Sequence, residues 1–487
     1  MSSLVATIPW LLAAGPAADA LGVGMRRRPG SVVGSTAALV VAVGCFLVLP
    51  SAPAADGWFV WDRLGGFVAV FVLAMSVVVR LAAARAMAGD VTRVRFDVLA
   101  AGLAAAAIAV ATAAHPYAFA LAWASVTPLV WLLVRYDGRP ATRGAARMAA
   151  GHLALGDAAL AVAAIVAVLS LGVDQLRPGA VVAPGPTASL VAGLLVVAAL
   201  ARAAAPPLHR WLTSSVAAPT SASALLHAGV VNGGGLLLVR WSSITYQALP
   251  ATVLAAGVGV LACLVGVAAM QTRADIKSAL VWSTIGQMGF MVLQAATGLA
   301  GPAIAHLVGH GMYKAHLFLA SGSALEGSPS SHRDPHSPAW VAVSAVVAAV
   351  ITGLAFWVVR PDFLAAGWVV VLPGTFLTVT LAVALAPWLP GPRAQVVAAC
   401  AGAAVMAVLA VAVTAGVDRL LEPSLPGFVP DGAGALAVVA VGVALAGAAA
   451  LLVLRDQRSG AGDWAYTRSL VAGVPPAPIS VSRGERR

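Results

Sequence analysis

Residues 301–325 read Gly301-Pro-Ala-Ile-Ala-His306-Leu-Val-Gly-His310-Gly-Met-Tyr-Lys314-Ala-His-Leu-Phe-Leu-Ala-Ser-Gly-Ser-Ala-Leu325. The run is long and apolar enough to cross a hydrocarbon layer about 30 Å thick, which takes roughly 20 residues of helix. Yet it carries His306, His310 and Lys314 at i, i+4 and i+8. That spacing puts all three on one helix face, each about 6 Å above the last, over roughly 12 Å of the layer. An ionisable side chain at membrane depth costs about 2.5–3.5 kcal/mol on insertion scales, so each is a functional hypothesis. Imidazole titrates near neutral pH, and a buried lysine can be brought to do so. Waters between groups so spaced would complete a proton wire. A single histidine on such a face reads better as a packing residue; three aligned groups read as function.

The rest of the chain has the same character. It is 61% hydrophobic and only 10% charged, with a mean hydropathy of +0.94. Soluble domains carry about 25% charged residues, and no single soluble core could bury this much apolar surface. The pattern predicts an all-α polytopic membrane protein of roughly 13–15 transmembrane helices. Fifteen spans are legible, at about 4–24, 31–50, 64–88, 98–114, 117–135, 148–172, 186–205, 217–240, 250–271, 278–299, 301–325, 338–359, 366–389, 394–416 and 434–454. Continuous apolar runs exclude the alternation of a transmembrane barrel. Residues 1–458 are expected to form the membrane domain, and 459–487, rich in Pro, Gly and Ser, a disordered cytoplasmic tail. Glu326–Pro338 reads as a polar cytoplasmic connector.

The net charge of +11 and pI near 10.7 would suggest a nucleic-acid partner in a soluble protein. Here the cations lie between apolar runs, so the positive-inside rule accounts for them and no nucleic acid is expected. Loops after odd-numbered spans hold Arg26, Arg27, Arg28, Arg93, Arg95, Arg135, Arg139, Arg143, Arg147, Arg210, Arg273, Arg333, Arg393, Arg455 and Arg458. The other side holds Arg63, Arg177, Arg240, Arg360 and Arg419. The bias predicts an external N-terminus and a cytoplasmic C-terminus. Cationic residues follow the first apolar run instead of preceding it, unlike a cleavable signal peptide. Cys45, Cys263 and Cys400 stand singly in apolar segments, without metal-ligand spacing. No cofactor is expected in this chain.

Two segments break helix rules. Ala205-Pro206-Pro207-Leu208-His209-Arg210-Trp211 ends the seventh run, and Ala218-Pro219-Thr220 opens the eighth. Proline removes a backbone donor. The pattern fits ordinary helix ends and equally a discontinuous helix lining a hydrated cavity. Further ionisable groups sit at depth: Asp157 in the sixth span and Arg202 in the seventh, an expected buried ion pair, and His227 in the eighth. Asp275 and Lys277 open the tenth span, where a cytoplasmic-end anchor and a functional role are equally good readings. Lys277 and Lys314 are the only lysines. Gly233-Gly234-Gly235 invites close helix packing.

Several of these stretches resemble, in register, the proton-translocating antiporter-type subunits of respiratory complex I, its largest one in particular. They are Pro207-Leu-His-Arg-Trp-Leu212, Pro219-Thr220 through Ser223-Ala-Leu-Leu-His227-Ala228, Asp275-Ile-Lys277 with Ser283-Thr-Ile-Gly-Gln-Met-Gly-Phe290, and Ala305-His306 through Ser323. The resemblance is dense over 120–325. It implies a broken seventh helix and a proton path through Arg202, His227, His306, His310, Lys314 and Asp157, and Lys277 is a further candidate for that path.

Two departures from that family bear on function. Its fifth-helix glutamate follows a tryptophan, whereas Trp123 is followed by Ala124, and no twelfth-helix Gly-Phe-Phe-Ser-Lys-Asp segment follows residue 338. Arginine at 202 is also a poor proton carrier. A shorter relative with an intact middle resembles the DabB subunits of DAB-type inorganic carbon complexes. That resemblance implies a proton-conducting, non-enzymatic subunit in a bacterial inner membrane. It also implies a large soluble, zinc-bearing DabA-like partner resembling carbonic anhydrase. The rival expectations are a subunit of complex I, a membrane hydrogenase or a multisubunit Na+/H+ antiporter, and a non-conducting scaffold.

Overall fold

A computed structural model describes residues 2–26, 32–48, 57–177, 180–321, 338–362, 367–426, 429–430, 432–437 and 439–442. The expected tail, the 326–338 connector up to its last residue and most of the last apolar span lie outside the described residues. Among the described residues the chain is helical throughout, apart from a lone antiparallel bridge between Phe59 and Ala113.

The helices are α1 (Ser2–Arg26), α2 (Val33–Val48), α3 (Arg63–Ala86), α4 (Arg93–Thr112), α5 (Pro116–Val134), α6 (Pro140–Leu171) and α7 (Pro186–Arg202). There follow α8 (Arg210–Ser214), α9 (Thr220–Ala228), α10 (Gly233–Arg240), α11 (Ser242–Thr245), α12 (Leu249–Gln271), α13 (Ile276–Ala296), α14 (Ala300–Ala320), α15 (Pro338–Val359), α16 (Trp368–Leu385) and α17 (Arg393–Leu421). Among the described residues nine helical stretches are long and apolar enough to cross a membrane, with α9–α10 counted as one, and four shorter apolar helices accompany them. α1 and α14 complete the fifteen expected positions.

Helix ends follow local chemistry. The Asp62 carboxylate accepts from Gly65 N at 2.7 Å to start α3, and Asp275 does the same for Ser278 N at the start of α13. Side-chain capping of this kind satisfies donors that a helix N-terminus leaves orphaned. Gly172, at φ +64°, closes α6 in the left-handed conformation that glycine adopts without strain. α6 begins at Pro140, a full two turns before the hydropathy pattern shows it.

The seventh span is broken. α7 stops at Arg202, and Ala204 takes φ +52° as the chain turns into the double proline. The carbonyls freed there are met by side chains. The Trp211 indole donates to Ala201 O at 2.9 Å, and Lys277 Nζ donates to Val216 O at 3.1 Å and Ala218 O at 2.6 Å. Such internal satisfaction is what lipid demands of irregular backbone.

The eighth span departs from the single helix expected over 217–240. α9 ends at Ala228, Gly229 and a single 3-10 turn over Val230–Asn232 intervene, and α10 restarts at Gly233. Asn232 Nδ2 donates to Ala228 O at 2.6 Å and to Leu307 O at 3.3 Å, tying the break to α14. The glycine triplet then packs as expected. A side chain on Gly234 would meet Ala199 O at 2.5 Å and one on Gly235 the side chain of Met291 at 2.8 Å.

Two buried ionic sets join the N-terminal helices to the bundle. Arg80 pairs with Asp19 at 2.9 Å and lies 3.9 Å from Asp97, itself 3.7 Å from Arg93. Arg240, expected among the outer loop charges, is instead 5% exposed. It pairs with Asp62 and donates to Ala111 O at 2.6 Å. A charged group this deep persists only with partners that replace its water.

Candidate functional site

α14 presents His306, His310 and Lys314 on one face, as their spacing predicted, and α13 packs along that face. His310 is 4% exposed and Lys314 fully buried, whereas His306 is only partly buried. The His306 and His310 ring centres are 5.9 Å apart. α13 answers with polar groups of its own: His306 Nδ1 lies 3.0 Å from Gln294 Oε1, and His310 Nδ1 lies 2.6 Å from Gln287 Oε1. Lys314 Nζ donates to Leu280 O at 3.2 Å.

α9 supplies the third wall. The His227 ring is fully buried, stacks on Phe318 with centroids 4.3 Å apart, and places Nδ1 3.0 Å from Thr284 Oγ1. Its main-chain oxygen lies 3.2 Å from His310 Nε2. That carbonyl is available because the helix breaks two residues later, so the interruption at Gly229 is what gives His310 its second partner. Gly311 permits the approach, since a side chain there would meet Phe71 Cζ at 2.4 Å and Ala228 O at 2.7 Å.

His310 therefore has an oxygen acceptor at each ring nitrogen. A neutral imidazole offers one donor and an imidazolium two, so this arrangement suits the doubly protonated ring. Turning the Gln287 amide over presents its NH2 to Nδ1 and suits the neutral ring. The two states of the ring thus map onto two orientations of one amide, whose oxygen and nitrogen are assigned from such hydrogen bonds.

The remaining expected residues are placed elsewhere. Arg202 Nη2 donates to Asp157 Oδ1 at 2.9 Å and to Trp123 O at 3.1 Å, with the guanidinium 4.1 Å from the Trp123 ring centre. The expected ion pair is present, and Trp123 offers the same guanidinium its main-chain oxygen. Gly233 makes room, because a side chain there would crowd both Arg202 Cγ and the Trp123 ring at 3.2 Å. Between this cluster and α14 lies a void of about 100 Å³ with walls mostly apolar, including Val68, Phe71 and Met75, and with Asn232 on its rim. Lys277 caps the carbonyls of Val216 and Ala218, beyond the break of the seventh span. Among the described residues no three His, Cys, Asp or Glu side chains converge as a metal site.

Residue-by-residue reading overlooked Thr284, Gln287 and Gln294 as partners. Their signal is present: three polar side chains at i, i+3 and i+10 in an apolar run share one helix face.

Residues 113–336 match the family described as NADH:quinone oxidoreductase/Mrp antiporter, transmembrane. The chain is 30% identical over 331 residues to a probable inorganic carbon transporter subunit, DabB1, of Halothiobacillus neapolitanus, covering 62% of this chain and 59% of that one. It is 41% identical over 170 residues to the probable inorganic carbon transporter subunit DabB of Bacillus subtilis, over 34% of this chain and 33% of the relative. It is also 36% identical over 212 residues to NADH-quinone oxidoreductase subunit L of Mycobacterium tuberculosis, over 42% and 33% of the two chains. The chain thus spans about six-tenths of the first relative's length and a third of the others'. The fold resembles a chain of the Mrp complex from Dietzia sp. DQ12-45-1b, with a TM-score of 0.64 and 21% identity, over 97% of this chain and 59% of that one.

Proposed function

We propose that this antiporter-like multi-pass membrane chain is a subunit of the DabB type, and that it conducts protons to drive inorganic carbon accumulation by a partner protein. The observation that carries the reading is the α13–α14 seam. His306 and His310 of α14 stand against Gln294 and Gln287 of α13, Lys314 donates to the α13 carbonyl of Leu280, and His227 of α9 meets Thr284 of α13, all on helices of membrane-spanning character. The distances from ring to ring and ring to amide are those that single side-chain movements or single waters bridge. Proton passage would run along His306, His310 and Lys314, with His227 beside His310 and Lys277 at the cytoplasmic end. Asp157 and Arg202 would act on this path through their field, because a guanidinium held on three partners is a fixed charge.

The carbon assignment is supported by relatives whose names carry it. In this reading the partner is a large soluble zinc protein, and CO2 hydration occurs there, driven by proton flow through this chain. The location is a bacterial inner membrane with the N-terminus outside. The test is growth in air of a carbonic-anhydrase-deficient bacterium carrying this chain and its partner. Wild type should rescue growth, while His310→Ala and Lys314→Ala should not, with the complex still recovered intact. Rescue by both variants would sink the relay and leave a scaffold. Recovery of quinone-linked subunits in place of a zinc protein would sink the carbon assignment.

A further inference from the structure

α6 is the longest helix among the described residues, and its 32 residues span about 48 Å, against a hydrocarbon layer about 30 Å thick. The excess lies at its N-terminal end, where residues 140–147 precede the apolar run that begins at Met148. One side of α6 is packed, with Ala145, Ala146, Ala149, Leu153 and Leu160 buried. The opposite side carries Arg143, Arg147, Gly151, Leu155 and Val162, all exposed. Leu155 and Val162 have the outward apolar surface of a lipid-facing helix, at 52% and 48% exposure. The two arginines stand just outside that stretch, one turn apart, where headgroups lie. Among the described residues neither guanidinium is bonded, whereas Arg139, one turn earlier, is held by Asp137 and Ala217 O. Asp137, the carboxylate of this turn, is itself engaged by Thr142. A side chain on Gly144 or Gly151 would meet nothing within 4 Å, so open space separates the cations from Leu155.

We propose that this face of α6 binds an anionic phospholipid with two phosphates, one on Arg143 and one on Arg147, its acyl chains lying along Leu155 and Val162. Four residues of helix separate the guanidiniums by a rise of about 6 Å, so each can take its own phosphate. A guanidinium grips phosphate oxygens with a planar pair of donors, a stronger and more directional contact than an ammonium makes. Side chains on a helix lean toward its N-terminus, which here is away from the hydrocarbon and toward the headgroups. The gap at Gly151 leaves room for the glycerol esters between phosphate and chains. Lipid fits better than a soluble partner because the arginines point sideways, opposite the packed side, in line with residues that face acyl chains. Basic sites at the ends of spans are where anionic headgroups are held.

The site stands whether or not the chain conducts protons, and lipid titration tests it directly. The full chain, delipidated in detergent, would be titrated with tetraoleoyl cardiolipin, dioleoyl phosphatidylglycerol or dioleoyl phosphatidylcholine and read by native mass spectrometry. Wild type should bind cardiolipin at least tenfold more tightly than either single-phosphate lipid. Arg143→Gln/Arg147→Gln should lose that preference, with phosphatidylcholine binding unchanged. Gly151→Trp keeps both cations, fills the gap and should weaken cardiolipin tenfold as well. Arg85→Gln/Arg95→Gln removes two other exposed cations expected on the same membrane face and should change nothing. Equal cardiolipin binding by wild type and Arg143→Gln/Arg147→Gln would overturn the site. An equal loss in Arg85→Gln/Arg95→Gln would overturn it too, as diffuse attraction to charge. Equal affinity of wild type for phosphatidylglycerol and cardiolipin would refute the two-phosphate assignment. Photocrosslinking in membranes from Arg147→p-benzoylphenylalanine should yield a lipid adduct; a protein adduct instead would give this face to a neighbouring chain and end the proposal.

Discussion

At the scale of single residues, the seam depends on an amide that can present either of its faces. Gln287 touches His310 at 2.6 Å, and no other side chain is bonded to that Nδ1. Gln287→Leu would strand a buried donor at a cost of about 1–3 kcal/mol. If that cost falls on the protonated ring, proton flux should drop roughly tenfold, since about 1.4 kcal/mol is a factor of ten. Dye-quenching in proteoliposomes would show it, and equal flux in wild type and Gln287→Leu would remove the amide from the mechanism. Arg202 makes the opposite case, a charge held still. Arg202→Met would leave the partly buried Asp157 without its partner, at a cost below the roughly 3–5 kcal/mol of a fully buried broken pair. The double variant Arg202→Met/Asp157→Leu should recover most of the lost thermal midpoint. If the two substitutions simply add, the pair is not coupled and the fixed-charge account is wrong.

At the scale of elements, α13 is positioned by glycines it shares with α12. A side chain on Gly266 would meet Gly286 N at 2.4 Å, and one on Gly259 would meet Gly289 O at 2.7 Å. Both are backbone contacts that cannot swing aside, and close small-residue packing of this kind holds membrane helices together. Gly257, on the same helix, faces open space. Gly266→Leu should therefore cut the yield of folded protein several-fold in fluorescence-detected size exclusion, while Gly257→Leu should leave it unchanged. A normal profile for Gly266→Leu would show that the helices part without penalty. The helices themselves were legible because apolar runs of about 20 residues have few other uses. The proline-marked break was legible too. The break at Gly229 was not, since Gly229-Val-Val-Asn-Gly233 reads as apolar continuation. It is held open by Asn232 bonding Leu307 O and by His310 against His227 O, partners 75 and 83 residues away. The same distance hid the roles of Gln287 and Gln294, whose helix face was legible but whose opposing residues were not.

At the scale of the whole molecule, the charges decide how the chain sits in its membrane. Loop-charge counting treats every arginine alike, and the structure sorts them. Arg240 leaves the sparse side altogether, buried on Asp62 and Ala111 O. Arg63 on that side donates to Phe46 O at 2.6 Å, and Arg360 is paired with Asp418. On the other side Arg143 and Arg147 lie in the first two turns of α6, Arg210 begins α8 and Arg393 begins α17, near helix ends where positive charge orients insertion. Pairing occurs on both sides, Arg93 with Asp97 and Arg139 with Asp137 on the crowded one, so the bias that counting found stays in place. The outward apolar faces agree with a lipid setting: Val397, Val405, Met406, Leu409 and Val413 on α17 are all more than half exposed. A green fluorescent protein fused after residue 458 should therefore fluoresce, and alkaline phosphatase fused there should be inactive. Alkaline phosphatase inserted between Asp174 and Arg177 should be active. The reverse pattern would invert the molecule and put the arginine-rich connections outside, against the charge bias that orients insertion.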